Sequence, residues 1–169
     1  MSADLATHLL ADALATLRKY KALAEAAVEQ VDDAALHHVL DDESNSLAVI
    51  VRHVAGNMRS RWTDVLTTDG EKPDRNRDAE FEEGPRARAE LLAEWESAWR
   101  LTLDAVGALR PDHLLRTVHI RGEPMTVSAA LTRALTHYAY HVGQIVYLAR
   151  HLRSGPWRSL SIPRAPRRA

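Results

Sequence analysis

The sequence contains no cysteine. This absence excludes disulfides, thiolate metal sites and a cysteine nucleophile, and it is typical of proteins in a reducing compartment. Long apolar runs are also missing, since no stretch approaches the roughly 18 residues that a membrane-spanning helix needs. The first ten residues lack the basic segment of a secretory signal. We therefore expect a cytoplasmic protein without a membrane partner.

A charge excess of either sign is missing as well, because 22 Lys and Arg residues face 23 Asp and Glu residues. This balance gives no electrostatic indication of a nucleic-acid partner. Of the 169 residues, 46% are hydrophobic and 27% are charged, which is typical of a folded globular chain of one-domain size. The composition does include nine histidines, and these carry most of the functional argument.

Hydrophobic periodicity predicts an all-α fold, a four-helix bundle. A small β-hairpin is predicted between the third and fourth helices, where Thr117-Val118-His119-Ile120 precede Arg121-Gly122-Glu123-Pro124. The N-terminal caps expected from the sequence are Ser2, the pair Asn45 and Ser46, and either Thr126 or Ser128. Pro85 is expected at the start of the third helix. The predicted helices cover residues 4–30, 47–66, 86–109 and 127–152, and the predicted hairpin lies within residues 116–127.

Two segments fall outside the helices. The connection over residues 67–86 is long for a compact bundle, which indicates a functional segment, an interface or disorder. The chain is divided into a bundle over residues 1–153 and a basic tail over residues 154–169. From residue 153 onward there are five arginines and no acid. We expect the tail to lie against the acidic body of its own chain or of a neighbouring subunit. The alternative is an RNA- or membrane-binding arm, although the prolines of the tail oppose an amphipathic helix.

Three histidines are candidate metal ligands. His137 and His141 are spaced i, i+4 on the fourth predicted helix and border its apolar stripe, so both imidazoles project on one side. His53 borders the apolar stripe of the second helix in the same way. If these side chains meet between the helices, three imidazoles hold a divalent ion and leave a fourth position open, as in catalytic zinc sites. One such spacing arises easily by chance among nine histidines, so hydrogen-bonded histidines at a helix interface are the alternative.

Two polar residues continue the row of His53 at i+4 and i+8. Asn57 and Arg61 are candidate contacts for a bound cofactor or substrate, because Arg binds carboxylates through two parallel hydrogen bonds. The alternative role of Arg61 is an interhelical salt bridge.

The other histidines and the tryptophans receive structural interpretations. His119, in the predicted hairpin, is the one remaining histidine that can approach the site from the side. Solvent-exposed positions are expected for the other histidines, and core positions for three tryptophans: His8, His37, His38, His113 and His151, and Trp62, Trp95 and Trp99.

Longer motifs resemble the DinB/YfiT-like superfamily. The histidine pattern of the superfamily is similar to His53 together with His137-x-x-x-His141-x-x-Gln144. Three segments resemble one branch of unknown function: 57–64 (NMRSRWTD), 67–73 (TTDGEKP) and 157–163 (WRSLSIP). The resemblance covers about residues 5–163. It implies a four-helix fold, a histidine triad that binds a divalent metal, and a homodimer. Members with assigned activity include a mycothiol-dependent maleylpyruvate isomerase and bacillithiol S-transferases, in which the sulfur of the thiol approaches the metal.

Three functions follow as hypotheses. The first is a metal-dependent transferase or isomerase that uses an external thiol (bacillithiol, mycothiol or glutathione) or metal-activated water. Zinc or nickel is the expected ion, and no catalytic side chain is assigned. The second is a non-enzymatic bundle that binds a ligand or partner and in which the metal has a structural role. Nucleic-acid binding is a weak third hypothesis, because the body is acidic and no recognition motif occurs.

Overall fold

Four long helices form the body of the protein in a computed structural model that describes residues 3–84 and 86–162. They are α1 (Ala3–Val28), α3 (Leu47–Trp62), α4 (Arg88–Gly107) and α5 (Val127–Leu152), and a one-turn helix, α2 (Asp33–Leu36), follows α1. Short 3-10 turns occur at Asp78–Phe81 and Pro111–His113. The predicted four-helix fold with a small hairpin is confirmed.

Each long helix packs against two others. The neighbouring pairs are α3–α4, α1–α5, α1–α4 and α3–α5. The core between them includes Trp62, Trp95 and Trp99, all buried as predicted. Because α3 and α5 are neighbours, side chains on their facing edges meet in one groove. None of the helices in the described part of the chain has the length and apolar character needed to cross a membrane.

Local chemistry explains where the helices begin and end. The Ser46 hydroxyl accepts a hydrogen bond from the Val49 amide and caps α3, and Thr126 caps α5 in the same way. The helix predicted over 47–66 ends earlier, at Trp62, and Asp64 then adopts a left-handed conformation with φ 48°. Ser2 and Pro85, the other predicted cap and start residues, lie outside the described residues.

A two-stranded antiparallel hairpin precedes α5, with β1 at Thr117–Ile120 and β2 at Glu123–Thr126. Its two turn residues, Arg121 and Gly122, both have positive φ, the geometry of a two-residue type I′ turn. Their amides donate hydrogen bonds to the carboxylate of Asp69, each at 2.8 Å. The hairpin is thereby attached to the long loop that follows α3.

The segment after α5 runs along the C-terminal end of α1. The amide of Arg158 donates to the side-chain oxygen of Gln30 at 2.8 Å, and the side-chain nitrogen of Gln30 donates to the Arg158 carbonyl at 3.2 Å. Trp157 and Leu160 pack against the core. The start of the predicted basic tail therefore contacts its own chain, and residues 163–169 lie outside the described part.

Candidate metal centre

The three predicted metal ligands meet between α3 and α5. His53 projects from α3 and His137 and His141 project from α5, and one ring nitrogen of each lies within 4.8 Å of the others. The Nε2 atoms of His137 and His141 are 3.2 Å apart. Two nitrogen ligands of a tetrahedral zinc ion, each about 2.0–2.1 Å from it, are separated by roughly 3.3 Å. The spacing of this pair therefore suits a shared ion.

Hydrogen bonds on the far side of two rings orient them for ligation. Nδ1 of His53 lies 2.9 Å from a carboxylate oxygen of Glu80, and Nδ1 of His141 lies 2.8 Å from the side-chain oxygen of Gln144. Because these partners are acceptors, each Nδ1 carries the proton and each Nε2 presents a lone pair to the cluster. Metal-binding histidines commonly have this arrangement.

Burial keeps two of the imidazoles uncharged. Desolvation, assisted by the positive charge of neighbouring groups, lowers the pKa of His137 to about 3. Desolvation likewise lowers the pKa of His141 to about 4, against a hydrogen bond with Gln144 that favours the charged form. Both rings are therefore neutral near pH 7, the form that binds a metal ion.

Glu80 is a residue of the candidate site that the sequence interpretation missed. It belongs to the 3-10 turn Asp78–Phe81 within the long loop, and its carboxylate is buried. One oxygen accepts from His53, and both accept from Arg75, each at 2.8 Å. Burial alone would raise the pKa of Glu80, but the bonds from His53 and Arg75 outweigh it and hold the pKa below its usual value. Glu80 is thus an ionised partner of His53.

Gly56 makes room for this carboxylate on the surface of α3. A Cβ atom at position 56 would lie 2.1 Å from one Glu80 carboxylate oxygen and 2.7 Å from its carboxyl carbon. Glycine within a helix costs about 1 kcal/mol relative to alanine, so its presence one turn after His53 is a sequence signal for a close contact. That signal locates the contact on the helix and leaves its partner in the loop unspecified.

A cavity of about 360 Å³ adjoins the cluster. His53 and His137 line it together with Asn57 and Arg61, so the two predicted ligand contacts share a cavity with two of the imidazoles. Four more arginines complete the cationic lining: Arg75, Arg77, Arg121 and Arg133.

The surroundings of Arg61 test its alternative role, which is an interhelical salt bridge. Its residue is only 6% exposed, and its Nη1 atom is fully buried without a hydrogen-bond partner. Within residues 3–84 and 86–162, no carboxylate forms an ion pair with it. Desolvation lowers the pKa of this guanidinium. The predicted salt bridge is therefore not found in the described part of the chain.

The remaining histidines lie apart from the centre. His119 is exposed on β1 and does not join the cluster. The expectation of an exposed His113 is wrong, since this residue is 4% exposed. Pro111 begins a 3-10 turn that folds the His113 ring inward, where its Nδ1 accepts a hydrogen bond from the Arg110 amide at 3.3 Å.

Comparisons with known proteins agree with this architecture. The family described as "Protein of unknown function (DUF1572)" matches residues 4–166. A crystal structure of a DinB-like protein, YjoA of Bacillus subtilis, superimposes with a TM-score of 0.67 at 13% sequence identity, covering 88% of this chain and 96% of that one. The search of curated proteins gave no match. At this identity the likeness establishes a DinB-like fold, which confirms the resemblance at the level of the fold.

Proposed function

The chain belongs to the DUF1572 family, whose function is unknown, and we propose that it is a metal-dependent enzyme that binds zinc or nickel through His53, His137 and His141. The observation that carries the proposal is the meeting of three ring nitrogens within 4.8 Å, two of them on rings whose opposite nitrogen is hydrogen-bonded to an acceptor. Imidazole suits both ions, and three protein ligands leave a position for an exogenous group.

The proposed activity is transfer or isomerisation with a low-molecular-weight thiol such as bacillithiol, mycothiol or glutathione. When bound, a divalent ion lowers the pKa of a coordinated thiol or water and so supplies a nucleophile near neutral pH. The chain has no cysteine, so a thiol at this site has to be a separate molecule. The cavity beside His53 and His137 provides its entry.

Residues of the protein itself orient the imidazole rings and bind the thiol or substrate. Glu80 holds the proton of His53 on Nδ1 and fixes the ring, and Gln144 does the same for His141. Asn57 and Arg61 lie along the cavity, where they can hold the polar groups of a thiol or substrate. These contacts keep the reacting molecule beside the three imidazoles.

A structural role for the metal is the second candidate. His53 belongs to α3 and His137 and His141 belong to α5, so an ion bound by all three would also connect two neighbouring helices. In that case the ion stabilises the bundle, and the cavity admits no ligand to it.

Cobalt substitution separates the two candidates. We expect the visible spectrum of the Co²⁺-loaded protein to change when glutathione or a thiol analogue is added, because a sulfur ligand enters the open position. Alanine substitution of His137 should remove the cobalt spectrum, whereas substitution of the exposed His119 should leave it unchanged. The structural role would be favoured if no thiol changed the cobalt spectrum and removal of the ion lowered the melting temperature.

We also expect a cytoplasmic homodimer that interacts with a small molecule and not with nucleic acid. The dimer is implied by the resemblance to the DinB/YfiT-like superfamily. Light scattering coupled to size-exclusion chromatography tests the dimer, and a monomer at micromolar concentration would contradict it.

A further inference from the structure

Positive charge in the cavity exceeds what the surrounding carboxylates balance. Arg75 is paired with Glu71 and Glu80, and Arg121 is paired with Glu71. Arg77 lies 3.8 Å from the exposed carboxylate of Asp78. These three cavity arginines therefore have acidic partners within the protein.

Arg61 and Arg133 have none. Among the described residues, neither guanidinium lies within 4.0 Å of a carboxylate, although both line the same cavity. Arg61 comes from α3 and Arg133 from α5, the two helices that also carry the imidazoles. Two cations beside a metal-binding cluster create a site for negative charge.

Of these two arginines, Arg61 gives the stronger evidence for a bound anion. A charged group buried without a partner destabilises a protein unless something compensates it. The Arg61 Nη1 atom is fully buried and unpaired beside Gly70, so a ligand in the cavity would meet the other nitrogens of the guanidinium. A bound anion would compensate the charge of the group. A macromolecular partner does not fit, because a residue only 6% exposed is out of reach of a protein or nucleic-acid surface.

The size of the cavity narrows the class of anion. At about 360 Å³ it falls at the lower end of small-molecule sites, and it is larger than an inorganic ion needs. A planar guanidinium matches a carboxylate through two parallel hydrogen bonds.

We propose that this cavity binds a small organic dianion, of which a dicarboxylate is the simplest form, and that Arg61 and Arg133 recognise its acidic groups. The proposal deepens the proposed function, on which it rests for the identification of the cavity as the ligand site. It makes Arg61 and Arg133 specificity-determining residues that select substrates or thiols by charge.

The test is isothermal titration calorimetry on the full chain without metal. The ion is removed with 1,10-phenanthroline, a neutral chelator, because EDTA is itself a polyanion that could occupy the site. The probes share one skeleton and differ in charge: succinate carries two charges, succinamate one and succinamide none. Inorganic phosphate is the fourth probe, and the buffer contains neither carboxylate nor phosphate.

Affinity should follow charge, with succinate first and no detectable binding of succinamide. Arg61→Met retains the aliphatic stem and should weaken succinate binding about tenfold or more, the effect of losing a charged partner. Arg133→Gln should weaken it less, because the residue is exposed. The matched control is Arg150→Gln, an exposed arginine of α5 outside the cavity, and it should bind like the wild type.

The melting temperature of the ligand-free protein gives a second readout. Because Arg61→Met removes an unpaired buried charge, its melting temperature should equal or exceed that of the wild type. A lower value, or a variant that does not fold, would mean that Arg61 has a structural role and would contradict the proposal.

The proposal is overturned if succinate does not bind, if Arg61→Met and Arg133→Gln both bind it normally, or if succinamide or phosphate binds as tightly as succinate. Its outcome is separate from that of the proposed function. Succinate binding by a protein that never binds a metal would contradict the proposed enzyme and support the dianion site. Metal binding without any anion binding would contradict the dianion site and support the proposed enzyme.

Discussion

Substituting Gly56 with alanine tests whether the contact between Glu80 and α3 shapes the centre. Alanine should gain about 1 kcal/mol of helix propensity. However, its Cβ would lie 2.1 Å from a Glu80 oxygen, so the carboxylate has to leave His53 and Arg75. Hydrogen bonds that involve charged groups contribute about 1.5–3 kcal/mol each, and the pairs lost here are buried. Losing the two pairs therefore costs about 3–6 kcal/mol, and we expect a net loss of about 2–5 kcal/mol in the free energy of unfolding.

Urea unfolding of metal-free protein measures this loss, and Gly143→Ala is the matched control. Gly143 is also a helical glycine, on α5, but a Cβ there would meet no atom within 4 Å. The control should therefore gain stability while Gly56→Ala loses it. The metal affinity of Gly56→Ala should also fall about 10–100-fold, as is typical when the hydrogen-bond partner of a ligand histidine is lost. Equal gains in stability for the two variants would refute the idea that Glu80 occupies the space at Gly56.

Two further predictions concern α5. Tyr138→Phe removes the hydroxyl that accepts the buried Trp62 indole N–H at 3.0 Å, and it should lower the free energy of unfolding in urea by about 1–3 kcal/mol; an equal loss for the exposed Tyr147→Phe would contradict this. In metal-free protein, NMR titration should give pKa values near 3 for His137 and near 4 for His141. Because the unfolded chain then binds more protons than the folded one between about pH 4 and pH 6.5, stability should fall as the pH is lowered through that range. Ordinary pKa values near 6.5 would show that the rings are not buried as described.

Regular patterns in the sequence were sufficient to predict the helices and to place three histidines at the margins of two apolar stripes. The apolar stripe of α5 places His137 and His141 at its margin, and the same reasoning places His53 on α3; these margins face each other because α3 and α5 are neighbours. The hairpin was predictable because Thr117-Val118-His119-Ile120 precede the turn-forming segment Arg121-Gly122-Glu123-Pro124.

Features set by irregular backbone were not predictable in the same way. Glu80 reaches His53 from a loop without periodicity, so no spacing rule connects the two residues. The early end of α3 and the burial of His113 depend on single turns, at Asp64 and Pro111, whose direction is settled by the surrounding packing.

Elemental analysis of untagged protein is the most direct test of the central claim, that three imidazoles of this chain hold a divalent ion. The protein should contain about one zinc or nickel ion per chain, the stoichiometry of a single three-histidine site. The ion should disappear when His53, His137 and His141 are replaced by alanine. It should remain when three exposed histidines, His8, His119 and His151, are replaced instead. Equal metal content in the two triple variants would contradict the account.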